Sequence, residues 1–162
     1  MTEFVYLHGF ASGPSSKKAT AFKNKFKEIG VSLNTPDLEG GNFENMTLTS
    51  QVNIVLDLLD QFQCKKVCLI GSSMGGYLAT LVAQRRVEIK ATYLMAPGFN
   101  FLERWMRSLK LDCDDETCWE PKIQIFHYRY DETKYIRTDI FKDAKNWKSL
   151  DLKREVSSRI VH

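Results

Sequence analysis

The sequence predicts an α/β fold, a parallel sheet flanked by helices, and three observations carry that expectation. Apolar strand-like runs alternate with helix-period segments along most of the 162 residues. Residues 66–70 (KVCLI) form a nearly continuous apolar run, which is how a strand buried on both faces reads. A Gly-x-Ser-x-Gly, residues 71–75, sits where that run gives way to a helical pattern.

Residues 3–7 (EFVYL) are a short strand that runs into His8-Gly9-Phe10. A Ser/Gly/Pro turn covers 12–16. Ser15 or Ser16 caps the next helix, because a serine oxygen accepts from an orphan N–H of the first turn. That helix runs to about Ile29 and Gly30 ends it. Its Ala19, Phe22, Phe26 and Ile29 fall at helical spacing, so Lys17, Lys18, Lys23, Lys25 and Lys27 read as a solvated helix face. Residues 31–35 are a second strand, and Pro36-Asp37 and Gly40-Gly41-Asn42 a loop. A helix at about 49–62 presents Val52, Val55, Leu56, Leu59 and Phe62 on one face.

After the 66–70 strand comes a small-residue helix at 75–84, then a strand at 91–95 stopped by Pro97-Gly98. Such alternation implies right-handed crossovers. The stretch 99–152 differs. It holds all three tryptophans, Trp105, Trp119 and Trp147, with His127-Tyr128-Arg129-Tyr130 and many charges. It reads as a small aromatic insertion over the C-terminal edge of the sheet, with a helix near 101–109, an extended piece near 122–130 and a helix near 138–147. Residues 158–162 begin another strand. The expected organisation is a single domain, 1–162, with the insertion at about 99–152.

Composition narrows the classes. Hydrophobic residues at 43% suit a real core, and a net charge of +3 is too weak to argue for nucleic acid. The N-terminus lacks a basic segment followed by an apolar run, and nothing approaches the ~18 apolar residues of a membrane span. A cytoplasmic protein is expected. Cys64, Cys68, Cys113 and Cys118 then read as reduced thiols. No Cys-x-x-Cys pair or neighbouring histidine suggests zinc, so no metal is expected.

The strongest chemical signal is Gly71-Ser72-Ser73-Met74-Gly75 between a strand and a helix. A turn that tight excludes side chains at its flanks. Gly71 and Gly75 remove the clash, and Ser73 is thrust out at the top of the sheet as a nucleophile. The helix N-terminus places the Met74 N–H where an oxyanion would develop. The loop after the first strand supplies the second donor, for which the Phe10 N–H is the candidate. His8 is expected to be structural and hydrogen-bonded. A nucleotide-binding βαβ reading fails, because no Gly-x-Gly-x-x-Gly follows the first strand.

These pieces resemble the small α/β-hydrolases of the YqiA-like, serine-aminopeptidase-like esterase group. The resemblance lies in residues 6–19 (YLHGFASGPSSKKA), in Pro36-Asp37-Leu38, in residues 71–77 (GSSMGGY), in Met95-Ala96-Pro97 and in residues 126–130 (FHYRY). It implies an α/β-hydrolase-type sheet and hydrolysis of a small-molecule ester or thioester through a Ser–Asp–His triad, with no cofactor. Ser73 maps to the nucleophile, and Phe10 and Met74 to the oxyanion donors. In that pattern the strand like 159–162 is followed by a glycine, then the acid, and later the histidine. The sequence is therefore expected to stop before its triad partners, with C-terminal strands missing and a sheet edge open to self-association. An internal triad of Ser73, Asp131 and His162 keeps the chain order but takes its acid from the insertion. The rival reading is an inactive relative that acts, if at all, by binding. Trp105, Trp119, Phe126, Tyr128 and Tyr130 either line an acyl pocket or form the insertion's own core.

Overall fold

A computed structural model describes residues 2–63, 66–111, 115–147 and 153–162. Cys64, Cys113 and the expected end of the insertion at Leu152 lie outside the described residues. The order of elements is β1 (Glu3–Leu7), α1 (Lys17–Glu28), α2 (Leu48–Asp60), β2 (Val67–Ser72), α3 (Met74–Ala83), β3 (Ile89–Met95), α4 (Phe101–Ser108), β4 (Lys122–His127), β5 (Glu132–Arg137), α5 (Asp139–Ala144) and β6 (Ser157–Val161). Strands β1, β2, β3 and β6 form a parallel sheet in that order. The hairpin β4–β5 is a separate antiparallel pair.

The alternation of side chains along the strands sorts the core into two layers. Val5, Leu7, Val67, Leu69 and Leu94 face α2 and α3, where Val52, Val55, Leu78 and Val82 are buried against them. Tyr6 and Ile70 face the other way, onto α1, with Phe4, Phe22, Phe26 and Tyr93 around them. Phe4 and Phe26 meet edge to face at 5.1 Å. Helix α1 begins at an N-cap Ser16, whose side chain accepts from the Ala19 N–H, and Gly30 follows its end at φ +70°.

The expected second strand at 31–35 is a correction. Only one parallel bridge forms there, Val5 to Asn34, held by Tyr6 N–H to the Asn34 carbonyl at 2.8 Å and Asn34 N–H to the Phe4 carbonyl at 2.9 Å. Pro36, which has no N–H to donate, stands two residues beyond the bridge, and the chain turns into the loop. A second correction is β5. The extended piece expected at 122–130 is half of a hairpin whose turn contains Asp131 at φ +53°. The outer edge of β6 pairs with no described strand, so the expectation of an open edge attaches to it.

Two contacts tie the outer elements to the sheet. The Asp143 carboxylate on α5 accepts from the Thr49 N–H at 2.8 Å and from the Thr49 hydroxyl at 2.6 Å, at the N-terminus of α2, where negative charge is favoured. Ahead of β6, the Arg154 guanidinium donates to the carbonyls of Ala83, Val87 and Ile89, and Arg154 N–H donates to Gln84 Oε1. One planar side chain thus satisfies carbonyls at the end of α3 and the start of β3. Arg154→Met is expected to lower stability by about 1.5–3 kcal/mol, the worth of charge-assisted hydrogen bonds, read as a shifted urea midpoint at unchanged slope.

Candidate active site

The junction of β2 and α3 is built by its glycines. A Cβ on Gly71 would lie 2.5 Å from Gly76 Cα and closer still to the Gly75 carbonyl. One on Gly75 would lie 2.5 Å from the His8 carbonyl and would overlap the Leu7 carbonyl. Helix α3 therefore starts pressed against the ends of both β1 and β2. Ser73 carries the turn at φ +53°, ψ −120°, a conformation that costs a non-glycine residue about 1–3 kcal/mol. Its N–H donates to the Met95 carbonyl at 2.9 Å, and its carbonyl accepts from Gly98 at 2.8 Å. The side chain is exposed.

The Met74 N–H, first in α3, donates to no described backbone carbonyl, and the same holds for the Phe10 N–H. The 9–10 loop lies against Ser73: a Cβ on Gly9 would stand 3.5 Å from Ser73 Cβ. Gly98 adds what the sequence reading passed over. A Cβ there would sit 3.1 Å from Met74 N, so glycine keeps that amide approachable. Ser72 faces the α1 side, where Lys18 Nζ donates to its hydroxyl at 3.2 Å.

A cavity of about 630 Å³ opens beside Ser73, lined by Gly9, Phe10, Ser72 and Lys18. Phe10, Phe101 and Tyr128 also line a second, more apolar space of about 540 Å³, which continues to Trp105, Ile125 and Phe126. The five aromatics of the insertion therefore divide. Trp119 is buried and meets Phe141 at 6.2 Å, a core residue. Trp105 packs on Phe10, Phe101 and Phe141 and forms a wall of the groove. Phe126, Tyr128 and Tyr130 are all exposed, but only the first two line the groove, and Tyr130 packs on His127.

His8 and His127 are both engaged. His8 Nε2 accepts from the Leu38 N–H at 3.1 Å, so the proton is on Nδ1, which lies 2.9 Å from the Gly9 carbonyl. Burial holds His8 below the usual histidine range, with Arg129 and His127 adding to the effect. His127 is fully buried. Its Nδ1 accepts from the Arg129 N–H at 3.3 Å, and its Nε2 is 2.6 Å from Glu39 Oε1. Burial, and then the nearby Asp37 carboxylate, push the Glu39 carboxyl up to about 7. Asp131 sits in the hairpin turn and His162 follows β6, and neither lines the cavity beside Ser73. The buried Glu39–His127 pair was not singled out in the sequence, where the two lie 88 residues apart. Among the described residues no cluster of three or more metal-ligating side chains occurs.

The model of the Uncharacterised protein family (UPF0227) matches residues 3–156. The chain belongs to that family. A Mycoplasma pneumoniae protein named "Putative esterase/lipase 2" is 38% identical over 104 residues, 58% of this chain and 37% of that one. Its Mycoplasma genitalium namesake is 37% identical over 100 residues. The match to each takes in little more than a third of the relative's length. Among solved structures, Est1E from Butyrivibrio proteoclasticus with ferulic acid bound superposes at a TM-score of 0.80 and 20% identity, over 100% of this chain and 68% of that one. Mouse alpha/beta hydrolase domain-containing protein 10 matches at 0.80 and 22% identity, over 99% and 68%. The UPF0227 chain thus has the α/β-hydrolase fold and relatives named as esterases.

Proposed function

We propose that Ser73 is the nucleophile of an acyl-transfer reaction that hydrolyses a carboxylic ester or thioester of a small molecule. The observation that carries this reading is the backbone of Ser73, a non-glycine residue held at φ +53° with its side chain exposed over a cavity and an unpartnered amide on either side. The relatives named esterase/lipase support the reaction class.

In this reading Ser73 Oγ attacks the acyl carbonyl, and the carbonyl oxygen takes the developing charge. The Met74 and Phe10 N–H groups donate to that oxygen, aided by the N-terminus of α3. The bond to the leaving oxygen or sulfur breaks, the leaving group takes the proton removed from Ser73, and water then cleaves the acyl-enzyme. The acyl group lies along the Phe10, Phe101 and Trp105 groove. His8 and His127 are not the base, because both ring nitrogens of each are engaged. By the family resemblance, the acid and base follow β6 in chain order.

A rival reading, a binding protein without turnover, is favoured by that engagement of both histidines. A fluorophosphonate probe separates the two. Labelling of the folded chain that vanishes in Ser73→Ala supports an activated Ser73. A folded chain that takes no label overturns turnover by this chain and leaves the binding reading.

A further inference from the structure

Three consecutive residues at the end of β4 hold both segments that flank the Phe10 amide. His127 reaches Glu39 at 2.6 Å, and the pair is sealed from solvent, with His127 0% and Glu39 5% exposed. Tyr128 N–H donates to the Ala11 carbonyl at 3.1 Å. Arg129 pairs with Asp37 at 2.6 Å, and its stem passes over Gly13, where a Cβ would stand 2.6 Å from Arg129 Cδ. One grip is thus on 11–13 and the other on 37–39.

Both grips bear on one peptide plane. The Gly9 carbonyl belongs to the same peptide unit as the Phe10 N–H, and in a trans peptide the two point in opposite directions. His8 sits against that carbonyl, and the Leu38 N–H holds its ring. Leu38 stands between Asp37 and Glu39, the two residues that Arg129 and His127 hold. On the other side Ala11 is at φ +49°, an unfavourable conformation for alanine, and its carbonyl is the one Tyr128 holds. From this geometry we infer that the buried Glu39–His127 pair, with Arg129, is a positioning clasp that fixes the direction of the Phe10 N–H and so couples the β4–β5 hairpin to the reaction centre. The significance for catalysis rests on the proposal that Phe10 is an oxyanion donor, whereas the structural coupling stands apart from it.

Stability alone gives the pair little reason to exist. Both partners of a buried polar pair can often be replaced together by apolar groups of similar shape at little cost. The Glu39→Leu/His127→Leu double variant uses that property, since it removes the clasp and leaves no lone buried charge. The test is amide NMR of the 162-residue chain in the Ser73→Ala background, so that Ser73 reactivity plays no part. The Leu69 and Ile70 amides in β2 report whether the sheet is intact. The expected result is that these two stay in place while the Phe10 and Ala11 amides shift and broaden. A folded double variant with Phe10 and Ala11 unmoved overturns the inference. Should the double variant not fold, Arg129→Met decides, because that side chain and its main partner Asp37 are both partly exposed, and Glu39, which Arg129 meets only at 3.9 Å, keeps His127 as its partner. Movement of Phe10 and Ala11 supports the clasp, and none overturns it. With Ser73 restored, the labelling rate is expected to fall at least about tenfold, short of the 10²–10³ loss from deleting a donor outright. His127→Gln, which still offers an N–H to Glu39, is expected to recover most of it. A chain that never labels leaves the NMR result standing and fails only the hydrolase reading.

Discussion

Gly75→Ala is expected to cost at least about 3 kcal/mol, the upper end of ordinary overpacking, and to remove Ser73 labelling with it. The added methyl would meet the carbonyls of Leu7 and His8, which are backbone atoms of β1 and its exit. Side chains can rotate away from an inserted methyl, but a strand in the sheet cannot. Relief requires α3 to back off, and that moves the Met74 N–H. Gly30→Ala is the internal comparison. Gly30, unlike the helical Gly75, takes φ +70°, but nothing lies within 4 Å of where its Cβ would be. Its cost is only the left-handed penalty of about 1–2 kcal/mol. Urea midpoints of the two variants measure the difference. Equal, mild losses would mean that the tight contact at β1 is not what fixes the strand–helix turn. With total stability of order 5–15 kcal/mol, the expected loss is a substantial part of the margin.

That contact explains why the elbow was legible in the sequence. Only glycine satisfies the close approach at Gly71 and Gly75, so the requirement is written into residue type. The helices were legible for a similar reason: Val52, Val55 and Leu59 repeat at the spacing of one face, and Ser16 marks a start. The 31–35 segment misled because apolar residues before a proline read as a strand, whereas whether a strand forms depends on how many ladder bonds the neighbour offers. Here β1 offers one bridge. The β5 strand was hidden because Glu132–Arg137 (ETKYIR) carries three charges, and the edge of a two-stranded pair tolerates them.

The candidate site was half legible. Ser73, Met74 and Phe10 follow from local pattern. Glu39 and His127 do not, because their pairing depends on the hairpin folding back over the 36–42 loop, and nothing local at either residue announces it. Gly98 was visible only as a strand stop. Its place against Met74 N needs β3 set beside β2 in register, with Ser72 opposite Met95.

His8→Phe is expected to lower stability by about 2–4 kcal/mol at pH 8, from two groups that each cost about 1–3 kcal/mol when stranded. The ring volume is kept, so no cavity contributes. What is lost is the acceptor for the buried Leu38 N–H and the donor to the Gly9 carbonyl. The pH dependence gives a second readout. Burial keeps native His8 neutral below its ordinary value of 6.5, while the unfolded chain takes up a proton there. Below pH 6.5 the unfolded state therefore binds more protons, and this contribution to stability declines as pH falls. Above 6.5 it is fully present. His127, also held down by burial, acts in the same direction. Glu39 acts oppositely: raised from 4.5 to about 7, it holds a proton in the native state that the unfolded chain has released, so it gains stability as pH falls from 7 to 4.5. The Glu39 and His127 contributions are common to both proteins and cancel in the difference. The gap between wild type and His8→Phe is therefore widest above pH 6.5 and narrows on acidification, because only the wild type still has that histidine to protonate. Urea midpoints at pH 8, 6 and 5 test it. A gap that stays constant across that range would mean that His8 is not held neutral between Leu38 and Gly9.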